Sequence, residues 1–300
     1  MKYLAIGHAS YDITFRLDKF PIENTKQRVK KHIDCGGGPA SNAGYLLALW
    51  NQSVAFQGVV GNDYYGNKIK EEFTRVGVDT TYLELVEGFD TMLSFIIANS
   101  TNASRTILTS QDDVVPKCSL SNDNNYDVIL VDGEEEEMSK KILLNNKEAV
   151  KIIDAGSFKP GTVNLCPYVD YLVCSKNFAL DYTKLEYDGS MESLIKIHNK
   201  LTDDFHNTVV ITLEDKGCFT KIGEEYKLIP SIKVKSVDTT GAGDIFHGAF
   251  TYFITHNYSL LDTCRLSNIT GALSTLRVGG RYSIPNLEAV LERSNLIDTV

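Results

Sequence analysis

The sequence lacks the features that would place a protein in a membrane or in an oxidising compartment. No apolar run approaches the roughly 20 residues that a membrane-spanning helix needs, and residues 1–7 are too short and too soon interrupted for a signal peptide. The six cysteines are scattered without a Cys-x-x-Cys pair, so zinc and redox motifs of that type are absent. We therefore predict a cytoplasmic protein whose cysteines are mostly small core residues.

Positive charge is also in short supply, since the formal net charge is 30 − 39 = −9 at pH 7. This balance argues against nucleic acid and against an anionic membrane as partners. Hydrophobic residues make up 43% of the 300 residues, which is ample for a sizeable core. The sequence has no internal repeat, low-complexity segment or linker. We predict one domain over residues 1–300 that binds small molecules.

Short apolar runs that end in polar residues or glycine recur along the chain and alternate with helical patterns. This arrangement predicts an α/β fold with a mainly parallel central sheet. The apolar runs are 3–6, 53–60, 128–131, 150–153, 171–174 and 208–213. Four further strand-like segments are too polar for the centre of such a sheet; they are 11–17, 28–34, 91–98 and 105–108. We assign them to a small separate β-layer, inserted at approximately 11–34 and 91–109.

The most informative stretch is Val-Asp-Thr-Thr-Gly-Ala-Gly-Asp-Ile-Phe-His-Gly-Ala-Phe at 237–250. It follows a strand-like run at 231–235 and leads into an apolar segment, 245–254, that suits a buried helix. A Gly-Ala-Gly turn opening a helix exposes backbone N–H groups at the positive end of the helix dipole and favours an anion, phosphate above all. Asp244 then has two interpretations, a helix cap or a base that accepts a hydroxyl proton during phosphoryl transfer.

A second glycine-rich stretch, 35–44, contains three successive glycines and leads into an apolar helix that carries Asn42. It is either a flexible turn or a place where a small polar ligand approaches the backbone. Asp132 follows a buried strand, where ligands of open α/β sheets bind. From the pattern alone, Asp12 is a solvated strand residue, and Arg105 is either an exposed strand residue or a partner for an anionic substrate group.

Both glycine-rich stretches resemble the two signatures of the ribokinase-like (PfkB) carbohydrate kinases, in the correct order and about 200 residues apart. The resemblance covers essentially the whole chain. It implies a three-layer α/β/α sandwich in which the polar strands form a lid over the sugar. It also implies transfer of the γ-phosphate of MgATP to a sugar hydroxymethyl group, with Asp244 as base and the backbone of Gly241, Ala242 and Gly243 as anion hole.

The same resemblance assigns the remaining candidate residues. Sugar contacts would come from Asp12, Gly37, Gly38, Asn42, Arg105 and Asp132. Nucleotide contacts would come from Ser175, Thr212, Glu214, Gly217, Gly243 and Asn268. Asp238 and Thr240 resemble the loop that binds a monovalent cation, usually potassium, beside the anion hole.

The sequence departs from the family pattern at three places. The family's Asn-x-x-Glu motif is absent after the strand at 171–174, so the phosphates and water would mainly hold magnesium. Glu214 stands where a glycine is common, which predicts an altered phosphate side of the nucleotide site. Pro39 replaces a lysine seen in ribokinases proper, so ribose does not follow as the substrate.

Two alternatives remain open. A kinase for a phosphorylated or acidic sugar would need two or more lid cations, which Arg105 with Arg16 or Arg28 could supply. A catalytically silent sugar- or nucleotide-binding sensor would not need Asp244. A nucleoside kinase is disfavoured because no aromatic clamp for a base is evident. Exposed edges of the lid strands also suggest a homodimer that pairs through the lid.

Overall fold

The computed structural model describes residues 1–122 and 124–298. The strands are β1 Lys2–Ile6, β2 Ser10–Leu17, β3 His32–Gly37, β4 Ser53–Gly61, β5 Asp79–Val86, β6 Leu93–Asn99, β7 Arg105–Ser110, β8 Val128–Val131, β9 Val150–Ala155, β10 Tyr171–Ser175, β11 Thr208–Thr212, β12 Cys218–Ile222 and β13 Glu225–Ile229. The α-helices are α1 Pro39–Leu49, α2 Tyr64–Arg75, α3 Glu136–Asn145, α4 Pro160–Leu165, α5 Lys176–Thr183, α6 Met191–Phe205, α7 Ala242–Thr255, α8 Leu260–Ser274 and α9 Leu287–Asp298.

Nine strands form the central sheet, in the order β13-β12-β11-β10-β9-β8-β1-β4-β5. All neighbours from β11 to β5 pair in parallel, and the β12–β13 hairpin adds two antiparallel strands at one edge. The predicted α/β class with a mainly parallel sheet is confirmed. Because β1 lies between β4 and β8, the order in which successive strands are added to the sheet reverses here. Ligands of open α/β sheets bind at such a point, in the crevice beyond the carboxyl ends of the two strands, here β1 and β8.

Both faces of the sheet are covered, as the alternation of side chains along β1 demonstrates. Tyr3 and Ala5 pack into one buried cluster with residues of α1, α2, α7 and α8. Leu4 and Ile6 pack into a second cluster with residues of α3, α5 and α6 on the opposite face. Since successive side chains of a strand point to opposite faces, the continuous apolar runs of the sequence are explained by burial on both sides. The result is a three-layer α/β/α arrangement.

A second sheet of four strands has the order β3-β2-β6-β7, and we call it the lid sheet. Its β2–β6 pair is parallel, and the β2–β3 and β6–β7 pairs are antiparallel. The strand β7 is exposed along its whole length, including the apolar Ile107 and Leu108. Within 1–122 and 124–298, no helix is long and apolar enough to cross a membrane.

Two strand predictions are wrong in position. The run at 231–235 is not a strand but an irregular segment that leads into the glycine-rich turn. The segment predicted at 28–34 pairs only from His32, and the strand then continues to Gly37. The sequence pattern stopped this strand too early because Gly36 and Gly37 read as a turn, whereas they pair with Tyr11 and Ser10 of β2.

Candidate active site

The Gly-Ala-Gly turn begins helix α7 without a side-chain cap. Gly241 is the N-cap in the left-handed region, with φ of 73°, where glycine is favoured. A Cβ at Gly243 would meet no atom within 4 Å outside its own helix, so packing gives no reason for a glycine there. The Ala242 N–H makes a long 3.3 Å bond to the Thr239 carbonyl. Open space therefore lies beside Gly243 at the positive end of the α7 dipole, where an anion would be favoured.

The two glycine-rich stretches meet through one hydrogen bond. The amide Nδ2 of Asn42, on α1, donates to Oδ2 of Asp244 at 2.8 Å across 202 residues of sequence. Burial raises the pKa of Asp244 to about 6, with the nearby Asp154 carboxylate raising it further and the Asn42 hydrogen bond opposing the shift. A carboxylate with such a pKa is ionised at neutral pH and can accept a proton.

Asp12, on strand β2 of the lid sheet, lies close enough to Asp244 for the two charges to interact. It is buried, not solvated as the strand pattern predicted. Burial raises its pKa to about 6, and the charge of Asp244 raises it further. Ser10 donates its hydroxyl to Oδ1 at 3.2 Å. A Cβ at Gly37 would overlap the Asp12 carboxylate, which explains that glycine. The strand pattern failed for Asp12 because the lid sheet packs against the main body on this side.

Gly38 has a different structural role. It is the residue before α1, with φ of 96°. A Cβ there would overlap the carbonyl of His8 in the β1–β2 connection. Gly38 thus lets the start of α1 approach the end of β1 closely.

Arg281 holds this region together and was missed by the sequence analysis. It is buried, and its Nε donates to Asn42 Oδ1 at 3.3 Å while its Nη1 lies 2.7 Å from Glu72 Oε2. Its guanidinium carbon is 4.7 Å from the ring centroids of both Tyr45 and Phe73. Because Arg281 occupies the oxygen of the Asn42 amide, the NH₂ group is left to face Asp244.

The first of the three glycines is explained by the same arginine. A Cβ at Gly36 would overlap the Arg281 guanidinium, and the Gly36 N–H donates to Glu72 Oε2 at 2.9 Å. Nothing in the Gly-Gly-Arg sequence at 279–281 indicates such a role. The signal depends on packing between segments 209 residues apart.

Arg105 joins the lid sheet to the turn. Its Nη1 donates to Thr239 Oγ1 at 2.7 Å, and Thr239 in turn donates to the Ala103 carbonyl at 3.3 Å. The Arg105 charge lowers the pKa of Asp244, although burial outweighs it. Arg105 is therefore close enough to affect the carboxylate electrostatically, whereas Arg28 lies on an exposed segment outside β3.

Asp132 follows β8, as predicted, but its carboxylate is bound by the backbone. Oδ2 accepts the N–H groups of His8 at 2.8 Å and Ala40 at 3.1 Å, and Oδ1 accepts the Glu134 N–H at 3.1 Å. Burial raises the pKa of Asp132, and these bonds oppose the shift. Asp132 ties β1, α1 and β8 together at the crevice.

The residues predicted for the nucleotide are bonded largely to the protein. Ser175 caps α5 by accepting the Phe178 N–H at 3.0 Å, and Thr212 donates to the Cys174 carbonyl at 3.3 Å. Asn268 is buried and donates to the Ile229 carbonyl at 2.9 Å. These contacts hold α5, β11, α8 and the β12–β13 hairpin in register.

Glu214 and Gly217 flank a short turn after β11. Glu214 has φ of 58° and pairs with Lys176 at 3.2 Å. Gly217 has φ of 97°, and a Cβ there would overlap the Ile229 carbonyl. The glycine is thus explained by packing against β13 and the segment after it.

Asp238 is a fully bonded carboxylate beside the turn. Oδ1 accepts the N–H of Thr240 at 2.9 Å and its hydroxyl at 2.6 Å, and Oδ2 accepts the Gly279 N–H at 2.9 Å. Across 1–122 and 124–298, no group of three or more His, Cys, Asp or Glu side chains could hold a metal ion. Asp238 and Thr240 offer oxygen atoms, which hard cations prefer, and both Asp238 oxygens already accept hydrogen bonds.

A glycine-rich turn at a helix start, a carboxylate of raised pKa in that helix and a second sheet that contacts the turn are the arrangement expected of a phosphotransferase that acts on an alcohol group. The sequence matches the pfkB family carbohydrate kinases over residues 2–287, so the chain belongs to that family. This confirms the resemblance on which the kinase prediction depended.

Relatives and solved structures agree with that assignment. The ribokinase of Lactococcus lactis is 25% identical over 307 aligned residues, which cover 96% of this chain and 95% of that protein. The structure of Arabidopsis thaliana ribokinase complexed with ribose and ATP superposes with a TM-score of 0.81 at 22% identity, covering 97% of each chain. A nucleoside kinase of Methanocaldococcus jannaschii, an archaeal member of the ribokinase family, gives 0.75 at 19% identity and 98% of each chain. The predicted ribokinase-like fold is confirmed, and the protein is a carbohydrate kinase.

Proposed function

We propose that this protein transfers the γ-phosphate of MgATP to a hydroxymethyl group of a small sugar, with Asp244 as the base. The observation that carries the proposal is the 2.8 Å bond between Asn42 and Asp244, which brings the two glycine signatures to one point. The pKa of about 6 for Asp244 supports its role, since the group is ionised at neutral pH yet basic enough to accept a proton.

In the proposed step, the sugar oxygen attacks the γ-phosphorus as its proton passes to Asp244. The new P–O bond forms on the side opposite the bond to ADP, which breaks with its electron pair remaining on ADP. The main-chain N–H groups of Gly241, Ala242 and Gly243 stabilise the charge on the transferring group. Asn42 holds Asp244 in place throughout.

The sugar side of the site consists of Asp12, Gly37, Gly38 and Asn42. Asp12 supplies an acceptor for sugar hydroxyls, and the glycines allow the backbone to approach. Asp132 positions this side through its three backbone bonds. Arg105 would reach the bound substrates from the lid.

The nucleotide side consists of Ser175, Thr212, Glu214, Gly217, Gly243 and Asn268. Magnesium would arrive with ATP as part of the substrate, because no carboxylate cluster awaits it among the described residues. Asp238 and Thr240 fit a monovalent cation such as potassium, which would order the turn and take no part in the chemistry.

The decisive experiment is ADP release measured against ketoses, aldoses, sugar acids, sugar phosphates and nucleosides, with and without potassium. We expect one sugar class to give turnover that Asp244→Asn lowers by about 10²–10⁴-fold. Asp262→Asn, which removes an exposed first-turn carboxylate of α8, is the matched control and should leave turnover unchanged. Equal turnover by wild type and Asp244→Asn would contradict the assignment of the base.

A kinase for a phosphorylated or acidic sugar is the second candidate, because Arg105 lies near Asp244. It predicts that sugar phosphates or sugar acids outrank neutral sugars in the panel and that Arg105→Gln reverses the order. Thermal shifts with sugars but no turnover on any compound would instead favour a silent sensor.

The lid sheet also supports the proposal of a homodimer. Along β7, Ile107 and Leu108 are 45% and 59% exposed, so apolar side chains lie on an open strand. Sedimentation of the wild type and of Leu108→Lys tests this: loss of a dimer in the variant is expected, and a wild-type monomer would refute it.

A further inference from the structure

A buried histidine and a buried aspartate lie directly beneath the anion-binding turn. His247 is on α7, one turn after Gly243, and Asp154 is the polar residue near the end of β9. Each side chain is 3% exposed, and Nδ1 of His247 is 3.0 Å from Asp154 Oδ2. Among the described residues that oxygen makes no hydrogen bond of regular geometry, so it is an unsatisfied acceptor beside Nδ1. Neither residue has a part in the mechanism given above.

Each nitrogen of the His247 ring lies beside a main-chain carbonyl oxygen, so each needs a proton to make a hydrogen bond. Nδ1 is 2.7 Å from the Gly243 carbonyl, and Nε2 is 3.0 Å from the Val173 carbonyl of β10. Carbonyl oxygens only accept, and a neutral imidazole has a single N–H. The ring therefore faces three acceptor oxygens, so both ring nitrogens need a proton. The proton on Nδ1 would lie between the Gly243 carbonyl and Asp154 Oδ2, and Asp154 is the acid that can supply it.

Another buried histidine of the protein shows the contrast. His198 places Nε2 3.1 Å from the Val209 carbonyl, but its Nδ1 lies 3.4 Å from Thr202 Oγ1, whose hydroxyl proton can point at that nitrogen or at the His198 carbonyl 3.0 Å away. The neutral ring of His198 is thus satisfied, and no carboxylate is needed. His247 instead has carbonyl oxygens at both nitrogens, so it needs a neighbouring acid that can give it a second proton, and Asp154 is that neighbour.

We propose that His247 and Asp154 share one proton and act as positioning residues, fixing the Gly243 carbonyl and hence the peptide that leads into Asp244. This inference rests on the proposed function, because the positioned groups are the anion-binding turn and the base. The pair would keep the turn in the orientation that accepts the transferring phosphoryl group.

The charges around the pair favour retention of that proton at neutral pH. Burial raises the pKa of Asp154 to about 8, with the charge of Asp132 raising it further and Lys159 opposing. Burial lowers the pKa of His247, whereas the carbonyls of Gly243 and Val173 and the charge of Asp244 raise it. A buried carboxylate without a proton nearby would be costly in either case.

The first test reads the proton directly and does not need activity. In nitrogen-15 NMR of histidine-labelled protein, wild type should show protons at both His247 ring nitrogens at neutral pH, one of them shared with Asp154. Asp154→Asn should show only one. A single ring proton in wild type, or two in Asp154→Asn, would overturn the proposal.

The second test uses substitutions that keep different donors. His247→Asn retains an N–H near the Nδ1 position, facing Gly243 and Asp154, whereas His247→Gln places its N–H nearer the Nε2 position. We expect Gln to lower kcat at least tenfold with little change in KM, and Asn to recover most of the loss. A role in packing alone predicts the opposite order, since Gln is closer to His in size.

A matched control is available on the same helix system. His256 makes the same Nδ1 contact, 2.7 Å to the Tyr252 carbonyl, and within 1–122 and 124–298 no carboxylate pairs with it. His256→Gln should leave kcat at the wild-type value, and an equal loss in it would refute a specific role for His247. If wild type phosphorylates no sugar, the proposed function fails while the NMR test still decides whether the pair shares its proton.

Discussion

On the sugar side of the site, Asp12 and Asn42 are buried and Asn42 donates to Asp244, whereas on the nucleotide side Thr212 and Asn268 donate to main-chain carbonyls. The difference shows in the acid groups. Burial raises the pKa values of Asp12 and Asp244 to about 6, with the charge of Asp244 adding to the shift of Asp12 and the charge of Asp154 adding to the shift of Asp244. The sugar side thus carries unfavourable charge, which is typical of catalytic sites.

The largest change in stability that we expect comes from substituting Arg281, which supports the sugar side. Arg281→Gln leaves Glu72 without its ion-pair partner in a buried place, so unfolding should become about 3–5 kcal/mol easier. The double variant Glu72→Gln/Arg281→Gln removes both charges and should recover much of that loss. Urea unfolding of the three proteins measures this. A double variant that is less stable than Arg281→Gln would contradict a paired-charge role.

Asp12→Asn should show that the sugar side is charged at a cost to stability. The pKa of Asp12 in the folded protein, about 6, exceeds the ordinary 3.8, so Asp12 binds its proton more tightly in the folded than in the unfolded state. The stabilisation is complete below about pH 4 and is lost as the pH rises through about 6. Relative to wild type, Asp12→Asn should therefore gain about 3 kcal/mol between these pH values, at ~1.4 kcal/mol per pKa unit. A pH-independent difference in unfolding free energy would refute the raised pKa.

The sequence pattern predicted the α/β class and its mainly parallel sheet, whereas the three layers and the roles of Asp12 and Asn42 beside Asp244 were expected from the family resemblance. Continuous apolar strands imply burial on both faces, and two glycine motifs with their polar residues mark a ligand site. It did not predict Arg281 or the His247–Asp154 pair, because their partners lie on other elements and no local pattern marks them. From the pattern alone the three glycines formed one flexible or ligand-contacting turn, although Gly36 makes room for Arg281 and Gly37 for Asp12.

The pH dependence of turnover should follow Asp244. Because the base must be ionised, kcat/KM should be constant above about pH 7 and fall tenfold per pH unit below about pH 6. Asn42→Ala removes a hydrogen bond that lowers this pKa, so the acidic limb should move to higher pH. Activity assays across this range with saturating ATP provide the measurement. An unshifted limb in Asn42→Ala would mean that another group controls it.

The smallest effect concerns the nucleotide side, where Glu214 occupies the left-handed region with φ of 58°. A non-glycine residue in this region costs about 1–2 kcal/mol of stability. Glycine avoids that strain but loses more backbone entropy on folding, so part of the gain is cancelled. Glu214→Gly should thus raise the unfolding free energy by less than about 1 kcal/mol, since its exposed pairing with Lys176 contributes little. Lys184→Gly is the matched control, because Lys184 has φ of 57° at the end of α5. Both variants should gain similar stability in urea unfolding, but only Glu214→Gly should change the KM for ATP. An unchanged KM for ATP would place Glu214 outside the nucleotide site.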